Sequence, residues 1–221
     1  LLGRHRAAMG LQLGDLVDDV PALLDPVRRS VGRLGVPWLF APGNHDIDHM
    51  AAPDAAALGR FHAVFGADTR GWETPLANFV MLDSVISLPG QRPAYIGGFR
   101  EDQFAFLQAW LPTLRKDRLL VLGMHIPLFE EDGRDTFRDA DRARLFALLR
   151  EFPHVLVLSA HSHTQRHVMH GASSGWHGAA PLHEYNVGAA CGSYWAGAPD
   201  AQGIPPATMA DGTPNGYARL T

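Results

Sequence analysis

The sequence predicts an α/β protein that sets polar residues down along one edge of a parallel sheet. Three observations carry this. Four apolar runs, Leu11 to Leu13, Val36 to Phe40, Leu119 to Met124 and Val155 to Ala160, each end in a carboxylate, carboxamide or imidazole residue. Helical spacing separates the runs, so strand and helix alternate and the strands lie parallel. With 221 residues and 46% hydrophobic content, the chain can bury one large core, and residues 1–221 are read as a single domain.

Taken in order, Leu1 to Ala8 is a short helical or irregular piece, followed by a strand to Leu13 and a turn at Gly14-Asp15. Behind Pro21, the residues Leu23, Leu24, Val27, Val31 and Leu34 recur at helical spacing and carry the chain to a strand at Pro37 to Phe40. Helical segments are expected from Asp48 to Gly71 and a strand from Asn78 to Leu82. Glu101 to Leu114 reads as an amphipathic helix with Phe104, Leu107, Leu111 and Leu114 on one face and Pro112 in its last turn. A strand at Leu119 to Met124, a solvated acidic loop around Glu130, Glu131 and Asp132, and a helix from about Asp139 to Arg150 come next. Beyond His163 the chain is rich in Gly, Ala and Pro, strand-like at Tyr185 to Val187 and irregular from Ala196 to Gly216.

A formal charge of −4, from 19 basic and 23 acidic residues without a basic run, gives no electrostatic case for nucleic acid or an anionic membrane. Without an apolar stretch of about 18 residues, the chain is expected to be soluble. The single cysteine, Cys191, excludes an intrachain disulfide and a thiolate cluster, so metal ligands must be oxygen and imidazole groups. Twelve histidines, seven of them from His154 to His183, point to metal. Leu1 stands where an initiator Met would, so the chain reads as a fragment of a longer precursor, which suggests a periplasmic or secreted address.

The stretch Ala41-Pro42-Gly43-Asn44-His45-Asp46 puts an amide, an imidazole and a carboxylate together at a strand's carboxyl end, where α/β sheets bind ligands. Two divalent cations need one bridging carboxylate, and Asp15 suits that place, with Gly14 giving the cations room beside the backbone. Asn44, His125 and His161 can complete one metal, while His163 sits correctly for its neighbour. Mn, Fe, Zn, Co and Ni all suit such ligands.

The order Gly-Asp, Gly-Asn-His-Asp, a strand-terminal His and His-x-His, running from about Leu11 to His163, resembles the calcineurin-like metallophosphoesterases. Gly192-Ser193-Tyr194-Trp195 and Asp211-Gly212-Thr213-Pro214-Asn215-Gly216-Tyr217 resemble the bacterial branch with an additional C-terminal domain. The resemblance implies a four-layer α/β/β/α sandwich, two mixed sheets flanked by helices. It also implies phosphoester hydrolysis at a dinuclear metal centre through a metal-bridging hydroxide. Asp15 is then the bridge, Asn44, His125 and His161 hold one metal and His163 the other, and His45 protonates the leaving oxygen. Asp46 would orient His45 and keep it cationic. The family also carries an Asp-x-His motif on an earlier strand. Only 13 residues precede Gly14 and none matches it, so the first strand is expected to be missing from this chain, the alternative being a site that binds one metal well and the other weakly.

Asp18 and Asp19 are candidates either for accepting hydrogen bonds from ligand histidines or for capping the following helix. His167, His170, His177 and His183 lie near the ligand segment, and Tyr194, Trp195, Asp211 and Asn215 could line the substrate mouth. The expected partner is a small phosphorylated substrate. A phosphodiesterase with the same site and a catalytically silent binding module of this fold are the rivals. A metallo-hydrolase of amides or lactams is disfavoured, since neither His-x-His-x-Asp-His nor His-Glu-x-x-His occurs.

Overall fold

In the computed structural model, residues 7–129, 136–194 and 197–221 are described. Strand β1 (Gly10–Gln12) runs parallel to β2 (Trp38–Phe40), with Leu11 beside Leu39. A 3-10 turn (Pro21–Leu23) and helix α1 (Leu24–Gly32) make the crossover. Proline opens that turn because its missing amide would have had no partner there. Leu24 is the buried residue of α1, while Leu23 faces solvent.

Helices α2 (Asp54–Ala57) and α3 (Gly59–Phe65) follow as expected, and α3 buries Phe61 and Val64. The chain then forms β3 (Arg70–Glu73), β4 (Ala77–Met81) and a small antiparallel pair, β5 (Val85–Ser87) with β6 (Tyr95–Gly97). Helix α4 (Glu101–Trp110) is shorter than predicted. Pro112 converts its end to a 3-10 turn (Leu111–Thr113), although Phe104, Leu107, Leu111 and Leu114 are all buried on the predicted face. Strand β7 (Leu119–Gly123), helix α5 (Asp139–Leu149), and strands β8 (Val155–Ser159), β9 (Arg166–His170) and β10 (Leu182–Asn186) complete the elements. The acidic loop at 130–135 lies outside the described residues.

The larger sheet has the order β3-β4-β7-β8-β10-β9. Its four inner strands are parallel and both edge strands antiparallel, so the sheet is mixed. Side chains alternate along each strand between two cores. Leu120 and Leu122 of β7 join Val157 of β8 in the core under α4 and α5. Val121 and Leu158 point the other way, to Leu13 and Ala41 beyond the ends of β1 and β2. Helices, sheet and sheet therefore stack in layers, the second sheet being the parallel β1–β2 pair among the described residues.

Strands β3, β5, β6 and β9 were not expected from the sequence. In β3 a glycine and charged ends conceal the alternation, and β9 (Arg-His-Val-Met-His) is polar because, as an edge strand, it keeps one flank in water. Segment 197–216 is irregular, tied by a bridge between Thr208 and Pro214.

Candidate metal centre

The strands β1, β2, β7 and β8 end on the same side of the molecule, and the residues just past them meet. Asn44 Oδ1, Asp15 Oδ2 and His161 Nδ1 stand 3.1, 3.2 and 3.2 Å from His125 Nε2. His125 is 1% exposed, and its Nδ1 donates to the Leu13 carbonyl at 2.7 Å. That bond fixes the tautomer, so a neutral His125 turns its Nε2 lone pair toward the other three atoms. His161 can satisfy that lone pair with one N–H. The Asp15 and Asn44 oxygens still face it, and only a positive charge at the middle relieves the crowding.

The titration directions describe the same centre with a proton in place of a cation. Burial opposes a charged His125, but Asp15 outweighs it and raises the imidazole above its usual range. Burial also opposes a charged Asp15, yet His125 and the His45 amide hold its carboxyl well below the usual value. Burial and the charge of His125 push His161 down to about 3, so its ring is neutral and available as a ligand at neutral pH. Asp15, His125 and His161 offer ligand atoms that all lie within 4.8 Å of one another. A carboxylate, a carboxamide and two imidazoles in this arrangement fit a divalent metal centre.

Two glycines make the convergence possible. At Gly14 (φ +94°) a Cβ would stand 2.6 Å from His125 Nδ1, so the room that glycine leaves is taken by an imidazole instead of by cations, as the sequence had suggested. At Gly43 a Cβ would lie 2.2 Å from both the amide nitrogen and Oδ1 of Asp15. Gly43→Ala is expected to lower stability by about 1–3 kcal/mol in chemical denaturation and to weaken metal binding, because Asp15 must move. Among the described residues, the non-glycine positions with positive φ are Asp15 (52°), Asp19 (55°), His161 (70°) and His163 (52°). Such strain gathers where neighbours hold a functional side chain against its local preference.

The partner of His45 is not Asp46. The His45 Nδ1 lies 2.9 Å from Asp19 Oδ1 and 3.6 Å from Asp18 Oδ1. Asp46, 0% exposed, instead accepts from the amides of Leu16 (2.8 Å), Val17 (3.1 Å) and Gly43 (2.8 Å), clamping the Asp15 loop to the Asn44 loop. Burial pushes its carboxyl up to about 6. Triplet adjacency in sequence suggested the wrong pair, since successive residues in a turn point in different directions. Neither Asp18 nor Asp19 caps the following 3-10 turn, whose N-cap is Val20 without a side-chain bond.

His163 stands outside the close donor group. Its Nδ1 donates to the Gly192 carbonyl at 2.6 Å, which leaves the lone pair on Nε2, and its ring centroid lies 5.3 Å from that of exposed Tyr194. Trp195 lies outside the described residues. Asp211 and Asn215, expected at the substrate mouth, hold the C-terminal segment in place instead. Asp211 accepts from the amides of Gln165 and Thr213, both at 2.9 Å, and Asn215 Nδ2 donates to the Ala190 carbonyl at 2.8 Å. Those amides depress Asp211 to about 2. A depressed carboxyl stabilises the fold above its ordinary value of 3.8 and stops doing so as pH falls through about 2. Hydrogen exchange at the Gln165 and Thr213 amides, taken relative to the intrinsic rate at each pH, should therefore quicken across that window in the wild type. It should already be fast at neutral pH in Asp211→Ala.

The other histidines near the ligand segment do not join the donor group. His170 is buried against Glu184 at 2.7 Å, His167 and His183 meet on the face of the sheet, and His177 is exposed. Three supports carried no sequence signal. Ser84 Oγ accepts from the amides of His125 (3.1 Å) and Ile126 (2.8 Å), and Glu184 from that of Leu128 (3.0 Å), so both fix the His125 loop. Asn186 accepts from Ser162 Oγ and donates to the Ala160 carbonyl, both at 2.5 Å, bracing the His161 loop.

Strand ends that gather carboxylate, carboxamide and imidazole donors around one point define the class: an α/β protein built to hold divalent metal. A sequence profile described as "Calcineurin-like phosphoesterase" matches residues 4–165, well over half of the chain, and the chain belongs to that family. At that level it is a metal-dependent phosphoesterase, a hydrolase. A second profile, "C terminal of Calcineurin-like phosphoesterase", matches residues 184–221, beginning inside β10 of the main sheet. Among solved structures, a dimetal phosphatase from Danio rerio is similar in fold, with a TM-score of 0.62 at 18% identity over 84% of this chain and 74% of the other. A search of curated proteins returns no significant match. No helix among the described residues is long and apolar enough to cross a membrane.

Proposed function

We propose that the chain hydrolyses a small phosphorylated substrate at a dinuclear metal centre. The convergence of three donor atoms, from Asp15, Asn44 and His161, on His125 Nε2 is the observation that carries this reading. Asp15 would serve both ions; Asn44, His125 and His161 would hold one, and His163, oriented by the Gly192 carbonyl, would hold the other. Bound there, two cations of Mn, Fe, Zn, Co or Ni would polarise the phosphoryl group and supply a nucleophile at neutral pH.

The chain's own residues do the rest. The His125 ring is held by the Leu13 carbonyl and the His161 loop by Asn186, so the ligands need not reorganise on binding. His45 presents a partly exposed imidazole beside the centre; with its Nδ1–H held by Asp19, only the doubly protonated ring has an Nε2–H to give to the leaving oxygen, and giving it leaves the ring neutral. Asp46 keeps the two ligand loops together and acts by positioning. The net charge of −4 offers an anionic substrate no general attraction, so capture falls to the metal site itself.

The test is turnover of a chromogenic phosphomonoester and of the matching diester by the chain loaded with manganese, with metal content measured alongside. Two bound equivalents and monoester turnover are expected. Diester turnover alone would make it a phosphodiesterase, and well under two equivalents of metal with neither activity would leave a catalytically silent binding module.

A further inference from the structure

We propose that His167, Met169 and His183 form a second metal site, for copper, on the face of the six-stranded sheet near its β9 edge. The Nδ1 of His167 and the Nε2 of His183 stand 2.8 Å apart. Two imidazoles sharing one metal ion at about 2.0–2.1 Å each lie about 3 Å from one another, so this pair needs only a slight opening to become a chelate. His167 does not wander: its ring stacks on Tyr185 with centroids 4.3 Å apart and planes 4° from parallel.

The strand register supplies a third donor. In the antiparallel pair, His183 faces Met169 and Tyr185 faces His167, so all four side chains share one face of the sheet. Met169 is 60% exposed, an unusual setting for a long thioether, and the register puts it directly across from His183. Solvent reaches the pair, since His167 is exposed and His183 half-buried.

The donor set decides the metal. Imidazole nitrogens place copper above the other divalent first-row ions, and a thioether favours Cu(I) over oxygen-seeking ions such as manganese. This separates the site chemically from the centre on Asp15. It is also separate in space. His183 pairs with Leu156, five residues before His161 along β8, which is roughly 15 Å back down the sheet at the usual strand rise.

Copper(I) kept reduced with ascorbate, titrated into the full chain in excess manganese against a chromogenic Cu(I) chelator, tests this. Wild type is expected to hold one copper that His167→Asn and His183→Asn each release at about tenfold or more lower chelator concentration, with Met169→Leu between them. Copper taken up by the Asp15 centre is common to all and cancels in the difference. If His183→Asn does not fold, the exposed His167→Asn carries the comparison. Equal copper affinity in wild type and His167→Asn would overturn the proposal and reduce the pair to a hydrogen bond, and an unchanged Met169→Leu would remove the thioether from the site.

Discussion

On the proposed dinuclear reading, Asp15→Asn should lower phosphoester turnover by about 10³ or more and strip the chain of tightly bound metal, because several kcal/mol of charge stabilisation would rest on the one carboxylate shared by the two ions. The substitution keeps the shape, so its effect isolates the charge. Oδ1 accepts the His45 amide at 3.1 Å, and an asparagine oxygen can still do so. The loop should therefore persist, with a circular-dichroism spectrum like that of the wild type. Loss of metal with the fold intact is the expected pair of results. Wild-type metal content in Asp15→Asn would remove it from the bridging position.

His45→Asn should separate catalysis from metal binding. Turnover is expected to fall by about 10²–10⁴, the usual worth of a general acid, with the metal content unchanged. The geometry adds a second arm. Asp19→Asn removes the charge 2.9 Å from Nδ1, and should reproduce part of the His45 loss, mostly in kcat. Substrates with good leaving groups should be less affected by both variants, since such groups depart without a proton. Equal losses of metal and turnover in His45→Asn would make His45 a ligand.

Much of the fold was legible because the two central strands, β7 and β8, are apolar on both faces and are followed at once by polar residues. β7 (Leu-Leu-Val-Leu-Gly) and β8 (Val-Leu-Val-Leu-Ser) could hardly be anything but buried strands. Their partners at the edges could not be found in the same way: β9 keeps Arg166, His167 and Met169 in solvent, so its pairing with β10 is a tertiary fact with no period of its own.

At the site, position along the chain was enough to select Asp15, Asn44, His125 and His161, since each stands just beyond an apolar run. What lay beyond reading was the direction of side chains within a turn. Asp46 follows His45, yet its oxygens face the amides of Leu16 and Val17, while Asp19, 26 residues earlier in the chain, reaches the imidazole. Asp211 misled in the same way. A polar residue in a Gly-rich loop looks available for a ligand, but the irregular backbone around it has amides of its own to satisfy.

At the meeting point of the four side chains, a cation is expected to take the place of the proton. Anomalous diffraction from crystals grown with manganese measures this directly. A peak bounded by Asp15 Oδ2, Asn44 Oδ1, His125 Nε2 and His161 Nδ1 is the predicted result. A map without density among those atoms, or with the four side chains turned apart, would contradict it.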